Sequence, residues 1–254
     1  MDKMDMDKEV YIFKNMEKLA EYAIKIWEDV SREQLEIKGF FSAALSGGKT
    51  PVHFYEKLSE HKDLPWNKTH VFIVDERFVP YESDENNYHM INRILLRHVS
   101  IPPKNIHPIL TTEANSQSSA ERYEQDIRAY CKNTRAKMPK FDMVFLGIGE
   151  DGHTASLFPR MKVLKEKDRF AVPVPSPEES GNERISLTLP IINNSSNIVF
   201  IVSGKSKAGI VKEVIEGEGI ELPAAMVRPA EGKLLFLLDE EAGSSLSKKG
   251  PDKY

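Results

Sequence analysis

The chain has 254 residues, with 35 Lys and Arg against 39 Asp and Glu, and its formal net charge at pH 7 is −4. This mildly acidic balance, without a block of Lys or Arg, argues against a protein that binds nucleic acid. No apolar run reaches the roughly 18 residues of a membrane span, and the charged start of the chain lacks the apolar stretch of a signal peptide. The single cysteine, Cys131, excludes an intrachain disulfide and a cysteine-based zinc cluster. A globular, cytoplasmic protein is therefore expected.

Helical and strand patterns alternate along the chain. Apolar positions at helical spacing predict helices over residues 17–36, 51–58, 118–131 and 207–215. Apolar runs predict strands over residues 40–45, 71–74, 143–146, 198–202 and 233–238. Ser118 and Glu121 have the spacing of a capping box, which places the start of the third helix. Strands that alternate with helices predict an open, mainly parallel α/β sheet with right-handed crossovers.

The pattern favours a single α/β domain over residues 1–254, with its core at about residues 10–240. Loops at 111–117 and 176–183 are too short to separate two domains. The charged N-terminus and the tail at 243–254 are expected to be flexible.

The predicted strand at 40–45 leads into a segment that suits a phosphate-binding loop. Its residues are Ser46, Gly47, Gly48, Lys49 and Thr50. The two glycines let the backbone approach a ligand, and Thr50 is expected to cap a helix whose first residue is Pro51. Free N–H groups at that helix start favour an anion such as phosphate. A nucleotide P-loop is excluded because its first glycine would fall on Ala43, and a plain strand–helix turn is the alternative.

Charged residues also follow two other predicted strands. Asp75, Glu76 and Arg77 come directly after the strand at 71–74, where they must face a polar cleft or pair with one another. Lys207 falls in the first turn of the last predicted helix, where a cation opposes the helix dipole unless an anion is bound nearby. Lys207 is therefore a candidate phosphate ligand, whereas an Asp–Arg clamp is the alternative for Asp75 and Arg77.

A glycine-rich segment after the strand at 143–146 carries the strongest signal. It runs from Gly147 to Pro159 and contains Asp151 and His153. Its glycines match a dinucleotide-binding pattern, but Pro159 leaves no room for the helix that this pattern requires, and acidic groups would face the pyrophosphate. A histidine beside a carboxylate in such a turn is typical of a general base, with a histidine satisfied in the core as the alternative. His153 and Asp151 are therefore candidate catalytic residues.

Metal and serine-hydrolase chemistry have less support in the sequence. The seven histidines form no H-x-H or H-x-x-x-H pair, so no metal site is predicted. The segment 204–208 differs from a nucleophile elbow at its last position, Ala208, and no histidine follows His153, which disfavours a serine hydrolase. No cofactor is predicted.

Five motifs, in their order along the chain, resemble those of the 6-phosphogluconolactonases. They lie at residues 46–51, 75–80, 147–159, 184–188 and 204–208. The resemblance extends over about residues 10–240, and the string Asp-Gly-His-Thr-Ala-Ser-Leu-Phe-Pro is its most specific part. This family is related to the glucosamine-6-phosphate deaminases, and the resemblance implies a Rossmann-like sheet with helices on both faces and a sugar-phosphate site.

One position separates the two branches of this wider group. Deaminases usually continue from Asp-Gly-His to Asn-Glu-Pro, and that glutamate assists their histidine. Here the corresponding segment is Leu157-Phe158-Pro159, and a phenylalanine cannot transfer a proton. A lactonase is therefore favoured, with a deaminase or isomerase as one alternative and a non-catalytic sugar-phosphate-binding protein as another. Lys49 departs from the small or variable residue that is common at its position.

The resemblance implies hydrolysis of 6-phospho-D-glucono-1,5-lactone to 6-phosphogluconate in the oxidative pentose phosphate pathway, without a cofactor or metal. His153 would be the general base, with Asp151 and Asp75 as further catalytic residues and with Asp151 or Glu150 holding the imidazole. The ligands of the substrate and its phosphate would be Ser46, Gly47, Gly48, Lys49, Thr50, Arg77, Arg184 and Lys207. A monomer is expected, with a weak dimer as the alternative, and no nucleic acid or membrane partner.

Overall fold

The computed structural model describes residues 8–134, 138–177, 181–217 and 221–247. Its strands are β1 (Lys8–Phe13), β2 (Phe41–Leu45), β3 (Thr69–Ile73), β4 (Asp75–Arg77), β5 (Ile106–His107), β6 (Met143–Leu146), β7 (Ala171–Val174), β8 (Arg184–Leu187), β9 (Asn197–Val202) and β10 (Lys233–Asp239). Its helices are α1 (Met16–Lys38), α2 (Val52–Leu58), α3 (Asn87–Ile94), α4 (Ser116–Thr134), α5 (Leu189–Asn193), α6 (Ala208–Glu216) and α7 (Pro223–Met226). Among these described residues, no helix is both long and apolar enough to cross a membrane.

Seven of the described strands form one sheet in the order β1-β10-β9-β6-β2-β3-β5, and every neighbouring pair is parallel. All five predicted strands belong to this sheet, which confirms the predicted open, parallel α/β fold. The central strands β2 and β6 are buried at every residue. Such burial requires cover on both faces, and this explains why these strands are continuous apolar runs rather than alternating ones.

Strand β1 is an edge strand that the apolar pattern does not predict. It begins with the charged residues Lys8 and Glu9, and most of its side chains are only partly buried. It nevertheless pairs with β10 along its whole length, from Lys8 opposite Leu234 to Phe13 opposite Asp239. Residues 1–7 and 248–254 of the segments expected to be flexible lie outside the described residues.

Two predicted helix starts are wrong by one or two residues. Pro51, rather than Thr50, lies at the N-cap of α2, and it makes no side-chain capping bond. Helix α4 begins at Ser116 because the backbone N–H of Ser118 donates to the side-chain oxygen of Asn115, at 2.8 Å. Ser118 therefore lies inside the helix, and the predicted capping box with Glu121 does not define its start.

A second, three-stranded antiparallel sheet has the order β4-β8-β7 and is not predicted from the sequence. Its first strand consists of Asp75, Glu76 and Arg77, whose charges suggest a loop. The pairing of β4 with β8 sets Arg77 opposite Arg184. This register brings the charged end of β4 to the same edge of the molecule as Arg184.

The side chain of Asp142 joins three elements at the amino end of the large sheet. It is 3% exposed, accepts hydrogen bonds from both the backbone N–H and the hydroxyl of Ser42, at 2.8 and 2.9 Å, and pairs with Lys38 at 2.7 Å. Lys38 ends α1, Ser42 lies in β2, and Asp142 precedes β6. A buried carboxylate with a cation and two donors ties these elements together.

We expect Asp142→Ala to lower the free energy of unfolding by about 2–4 kcal/mol, because it leaves buried donors without an acceptor. Glu21→Ala is the matched control, since its pair with Lys18 is about half exposed on both sides and should change stability by less than about 1 kcal/mol. Urea titrations of the two variants give both values. Equal effects would show that the Asp142 network does not hold the sheet.

Candidate active site

The site lies where the strand order of the large sheet changes direction. From β2 the chain continues to β3 and β5 on one side, and β6 pairs with the other side of β2 and is followed by β9. The loops that leave the carboxyl ends of β2 and β6 therefore diverge and open a crevice between them. Open parallel sheets bind ligands at such a crevice.

A cavity of about 260 Å³ occupies this crevice. Ten of the predicted site residues line it, namely Ser46, Gly47, Gly48, Lys49, Thr50, Asp75, Arg77, His153, Arg184 and Lys207. Asp151 does not: its half-exposed side chain is bonded to His153 and lines a different cavity. Five separate segments of the chain thus converge on one cavity, and four of them follow the strands predicted at 40–45, 71–74, 143–146 and 198–202.

The loop after β2 presents unused backbone donors to the cavity. Its first residue is fixed, because the hydroxyl of Ser46 donates to the carbonyl of Phe145 at 2.8 Å and the hydroxyl of Tyr55 donates to the carbonyl of Ser46 at 2.7 Å. The backbone N–H groups of residues 47–50 donate to no other described residue. Consecutive free N–H groups at the wall of a cavity are a binding arrangement for an anion.

His153 is held by a tight turn that starts at the end of β6. Its Nδ1 lies 2.5 Å from the carboxylate of Asp151, and its carbonyl accepts the N–H of Gly149 at 2.8 Å. A Cβ at position 149 would lie 2.1 Å from Nδ1, so any larger residue there would displace the imidazole from its present position. Residues 150–161 form turns rather than the helix that a dinucleotide site requires.

The carboxylate of Asp151 fixes the orientation of the imidazole in this turn. Burial acts to raise the pKa of Asp151, but the backbone N–H and the imidazole of His153 outweigh it, so the pKa of Asp151 lies below its usual value. The ionised carboxylate accepts from Nδ1–H, which leaves the lone pair on Nε2. Nε2 has no hydrogen-bond partner in the described part of the chain, and the His153 side chain lines the cavity.

The N–H groups of Gly149 and Gly152 donate within the turn itself. A transition-state oxyanion at the cavity would therefore meet other donors than these two.

Asp75 also lines the cavity and is nearly buried. One of its carboxylate oxygens accepts the hydroxyl of Ser156 at 2.6 Å. In the sheet, Asp75 pairs with Ser186, whose hydroxyl oxygen accepts the N–H of Ser156 at 3.3 Å. The 154–157 turn and the small sheet are thereby joined at Asp75.

Among the described residues, four cationic side chains line the cavity, and one of them, Lys49, belongs to the loop after β2. Arg77 and Arg184 are partners across the β4–β8 pairing. Lys207 ends a short 3₁₀ turn directly before α6, whereas the sequence predicts it inside the first helical turn. Phe158 lies beneath two of the site residues, with its ring centroid 4.5 Å from the His153 ring and 5.3 Å from the Arg184 guanidinium. The apolar ring thus supports the histidine and one cation at once.

Asn87 and Glu150 also line the cavity. Glu150 is the alternative partner for the imidazole, but the contact is made by Asp151, and Asn87 is not predicted from the sequence. Asn87 is the first residue of α3, a short helix that the pattern does not predict. Asparagines are common at helix starts, so the residue type alone carries no functional signal. The hydrogen-bond partners of Asn87 lie in β4, and only folding of the chain brings them close to it.

Glu76 is a fully buried carboxylate next to this site. It accepts the backbone N–H groups of Arg77, Asn87 and Tyr88 at 2.7–2.9 Å. Burial raises the pKa of Glu76 to about 7, against the effect of those three donors. Its role is distinct from that of Asp75, since it holds backbone rather than facing the cavity.

Among the described residues, no group of three or more His, Cys, Asp or Glu side chains is placed to hold a metal ion.

The chain is similar to proteins of one family. The family model described as "Glucosamine-6-phosphate isomerases/6-phosphogluconolactonase" matches residues 14–236. A 6-phosphogluconolactonase of Nostoc sp. is 39% identical over 212 residues, which are 83% of this chain and 86% of the relative. The solved 6-phosphogluconolactonase of Thermotoga maritima is 30% identical with a TM-score of 0.80, covering 92% of this chain and all of its own. A monomeric glucosamine-6-phosphate deaminase, 21% identical with a TM-score of 0.77 over 93% of this chain and 99% of its own, shares the fold.

We expect Glu76 to make stability depend on pH. Because the pKa of Glu76 is about 7 in the fold against 4.5 for an ordinary glutamate, the folded protein keeps a proton between these values that the unfolded chain releases. The free energy of unfolding should therefore fall as the pH rises from 4.5 to 7, by up to about 1.4 kcal/mol per pH unit. Urea titrations at several pH values should show a shallower fall for Glu76→Gln, and parallel curves would contradict this assignment.

Proposed function

Because the chain belongs to the glucosamine-6-phosphate isomerase/6-phosphogluconolactonase family, we propose that it hydrolyses 6-phospho-D-glucono-1,5-lactone to 6-phosphogluconate, a step of the oxidative pentose phosphate pathway. The observation that carries this proposal is the position of His153. Its ring faces the cavity while its Nδ1 is bound to an ionised carboxylate. This arrangement suits removal of a proton from water, which is what hydrolysis of a lactone requires.

In the proposed reaction, Nε2 of His153 takes a proton from water as the water oxygen attacks the lactone carbonyl. The carbonyl π electrons move to oxygen and give a tetrahedral intermediate. When this intermediate collapses, the bond between the carbonyl carbon and the ring oxygen breaks, and the imidazolium returns the proton to the departing oxygen. Asp151 stabilises the imidazolium through Nδ1–H, and Asp75, which also lines the cavity, holds substrate hydroxyl groups.

The phosphate of the substrate is assigned to the cationic side of the cavity. The free N–H groups of residues 47–50 donate to its oxygens. Arg77, Arg184 and Lys207 contribute positive charge, and the planar guanidinium group is suited to two parallel hydrogen bonds with a phosphate. Ser46 fixes the start of the loop, and Lys49 and Thr50 line its wall. A monomeric state and a cytoplasmic location stay predictions.

Phe158 supports a lactonase rather than a deaminase. It lies against the His153 ring, where a deaminase would need a side chain that transfers protons to and from the sugar ring. The benzyl side chain has no titratable group. Supplied with glucosamine-6-phosphate, the protein should therefore release no ammonia above background.

The test is hydrolysis of freshly generated lactone, followed by acid release beside an enzyme-free control. We expect His153→Ala to lower kcat by roughly 10²- to 10⁴-fold with little change in KM, because positioned general bases contribute about this much. His61→Ala is the matched control, since His61 pairs with Glu28 outside the cavity. Normal turnover by a folded His153→Ala protein would remove His153 from the mechanism, and ammonia release at a comparable rate would favour a deaminase.

A second prediction tests the phosphate site. Arg184→Ala and Lys207→Ala should each lower kcat/KM on the phosphorylated lactone by about 10- to 150-fold, because charge-assisted hydrogen bonds are worth about 1.5–3 kcal/mol. Neither change should affect the weak activity on unphosphorylated gluconolactone. Lys212→Ala, an exposed lysine of α6 paired with Glu216, is the control. If the ratio of kcat/KM for the two lactones does not change, the phosphate lies elsewhere.

A further inference from the structure

Asn87 is a buried polar residue at the wall of the cavity that the proposed chemistry leaves without a role. It is 3% exposed, although it contributes to the cavity surface. Both atoms of its side-chain amide are used. Its nitrogen donates to the backbone carbonyl of Asp75 at 2.7 Å, and its oxygen accepts from Nη1 of Arg77 at 2.8 Å. The amide therefore has one orientation only, with its oxygen toward Arg77.

The orientation of the Arg77 guanidinium depends on its contact with Asn87. Nη1 is held by the amide oxygen of Asn87 and by the carbonyl of Glu85, at 3.1 Å. Nε of Arg77 is buried and has no hydrogen-bond partner in the described part of the chain. A guanidinium that is fixed through one nitrogen keeps other donors for a ligand, but its direction is set by whatever holds that nitrogen.

Asn87 itself sits in a rigid frame. Its backbone N–H donates to the buried carboxylate of Glu76 at 2.7 Å, and the same carboxylate holds the N–H of Tyr88 and of Arg77. On the opposite side, the loop after β2 packs directly on the amide, since a Cβ at Gly47 would lie 1.9 Å from the side-chain oxygen of Asn87. Three segments of the candidate site meet at this one side chain.

We propose that Asn87 is a positioning residue, which acts through Arg77 by holding its guanidinium at the cavity before the substrate's anionic group arrives. This inference rests on the proposed function for the identity of the substrate. A preformed cation avoids the loss of side-chain freedom that a mobile arginine suffers on binding. The expected signature is weaker binding of the phosphorylated substrate rather than a loss of proton transfer.

The neighbouring residue offers a matched control. Asn86 is the N-cap of α3, where its side chain accepts the N–H of His89 at 2.8 Å, and it is not part of the cavity wall described above. Asn86→Ala weakens the start of the same helix without touching Arg77. If Asn87 matters only for folding of this helix, the two variants should behave alike.

The experiment is a double-mutant cycle on the full chain with Asn87→Ala, Arg77→Ala and the double variant. We expect Asn87→Ala to raise KM for the phosphorylated lactone about 10-fold, the lower end of the range for a hydrogen bond to a charged group, with kcat nearly unchanged. In the Arg77→Ala background the same change should have a much smaller effect, because the group it positions is gone. Asn86→Ala should lower Tm and leave KM unchanged.

Two outcomes would overturn the inference. In the first, Asn87→Ala raises KM by the same factor with and without Arg77. In the second, KM rises as much for Asn86→Ala as for Asn87→Ala.

Asn87→Ser, whose short hydroxyl is compatible with a helix start but does not reach Arg77, replaces Asn87→Ala if that variant does not fold. The dissociation constant of 6-phosphogluconate, measured by calorimetry, is read in parallel. If the native protein bound 6-phosphogluconate but did not hydrolyse the lactone, the proposed function would be refuted. The double-mutant cycle, measured through the dissociation constants of 6-phosphogluconate, would still test the role of Asn87.

Discussion

The parallel pairing of β2 with β6 is the constraint on which the site depends. Ala43 and Ala44 lie opposite Met143 and Val144, so the two strands end at the same edge of the sheet. Their outgoing loops must diverge, because the neighbouring strands β3 and β9 lie on opposite sides. One loop carries the free amides and the other carries His153, and the cavity is the space between them. Anion binding and base chemistry are therefore adjacent as a result of sheet topology.

The small sheet contributes two cationic side chains to the cavity, Arg77 and Arg184. Its register sets two arginines opposite each other, an arrangement of like charges that weakens a strand pair. The surrounding contacts oppose this repulsion, since Phe158 lies under Arg184 and the Asn87 oxygen accepts from Arg77. A bound dianion would oppose it further. The sheet is thus less stable as an isolated element than as the wall of an occupied site, which is a common property of functional sites.

The sequence predicts those elements whose structure is determined by residues close together along the chain. The run at 143–146 is apolar and buried on both faces, and the glycine turn that carries His153 follows it directly. Strand β4 could not be predicted in this way, because its three charged residues form a strand only by pairing with β8, which is far along the chain. Asn87 was also missed, since its importance lies in contacts with Arg77 and Asp75 that only the folded chain creates.

The position of β1 has a consequence for how the chain completes its fold during synthesis. The first described strand pairs only with β10, so that Lys8 meets Leu234 across nearly the whole length of the chain. Every other strand of the large sheet can find a neighbour before β10 leaves the ribosome. Until then the main-chain groups of β1 remain without their strand partner, and the closing contact has a very large sequence separation. Among the described strands, the first along the chain is therefore the last to be incorporated.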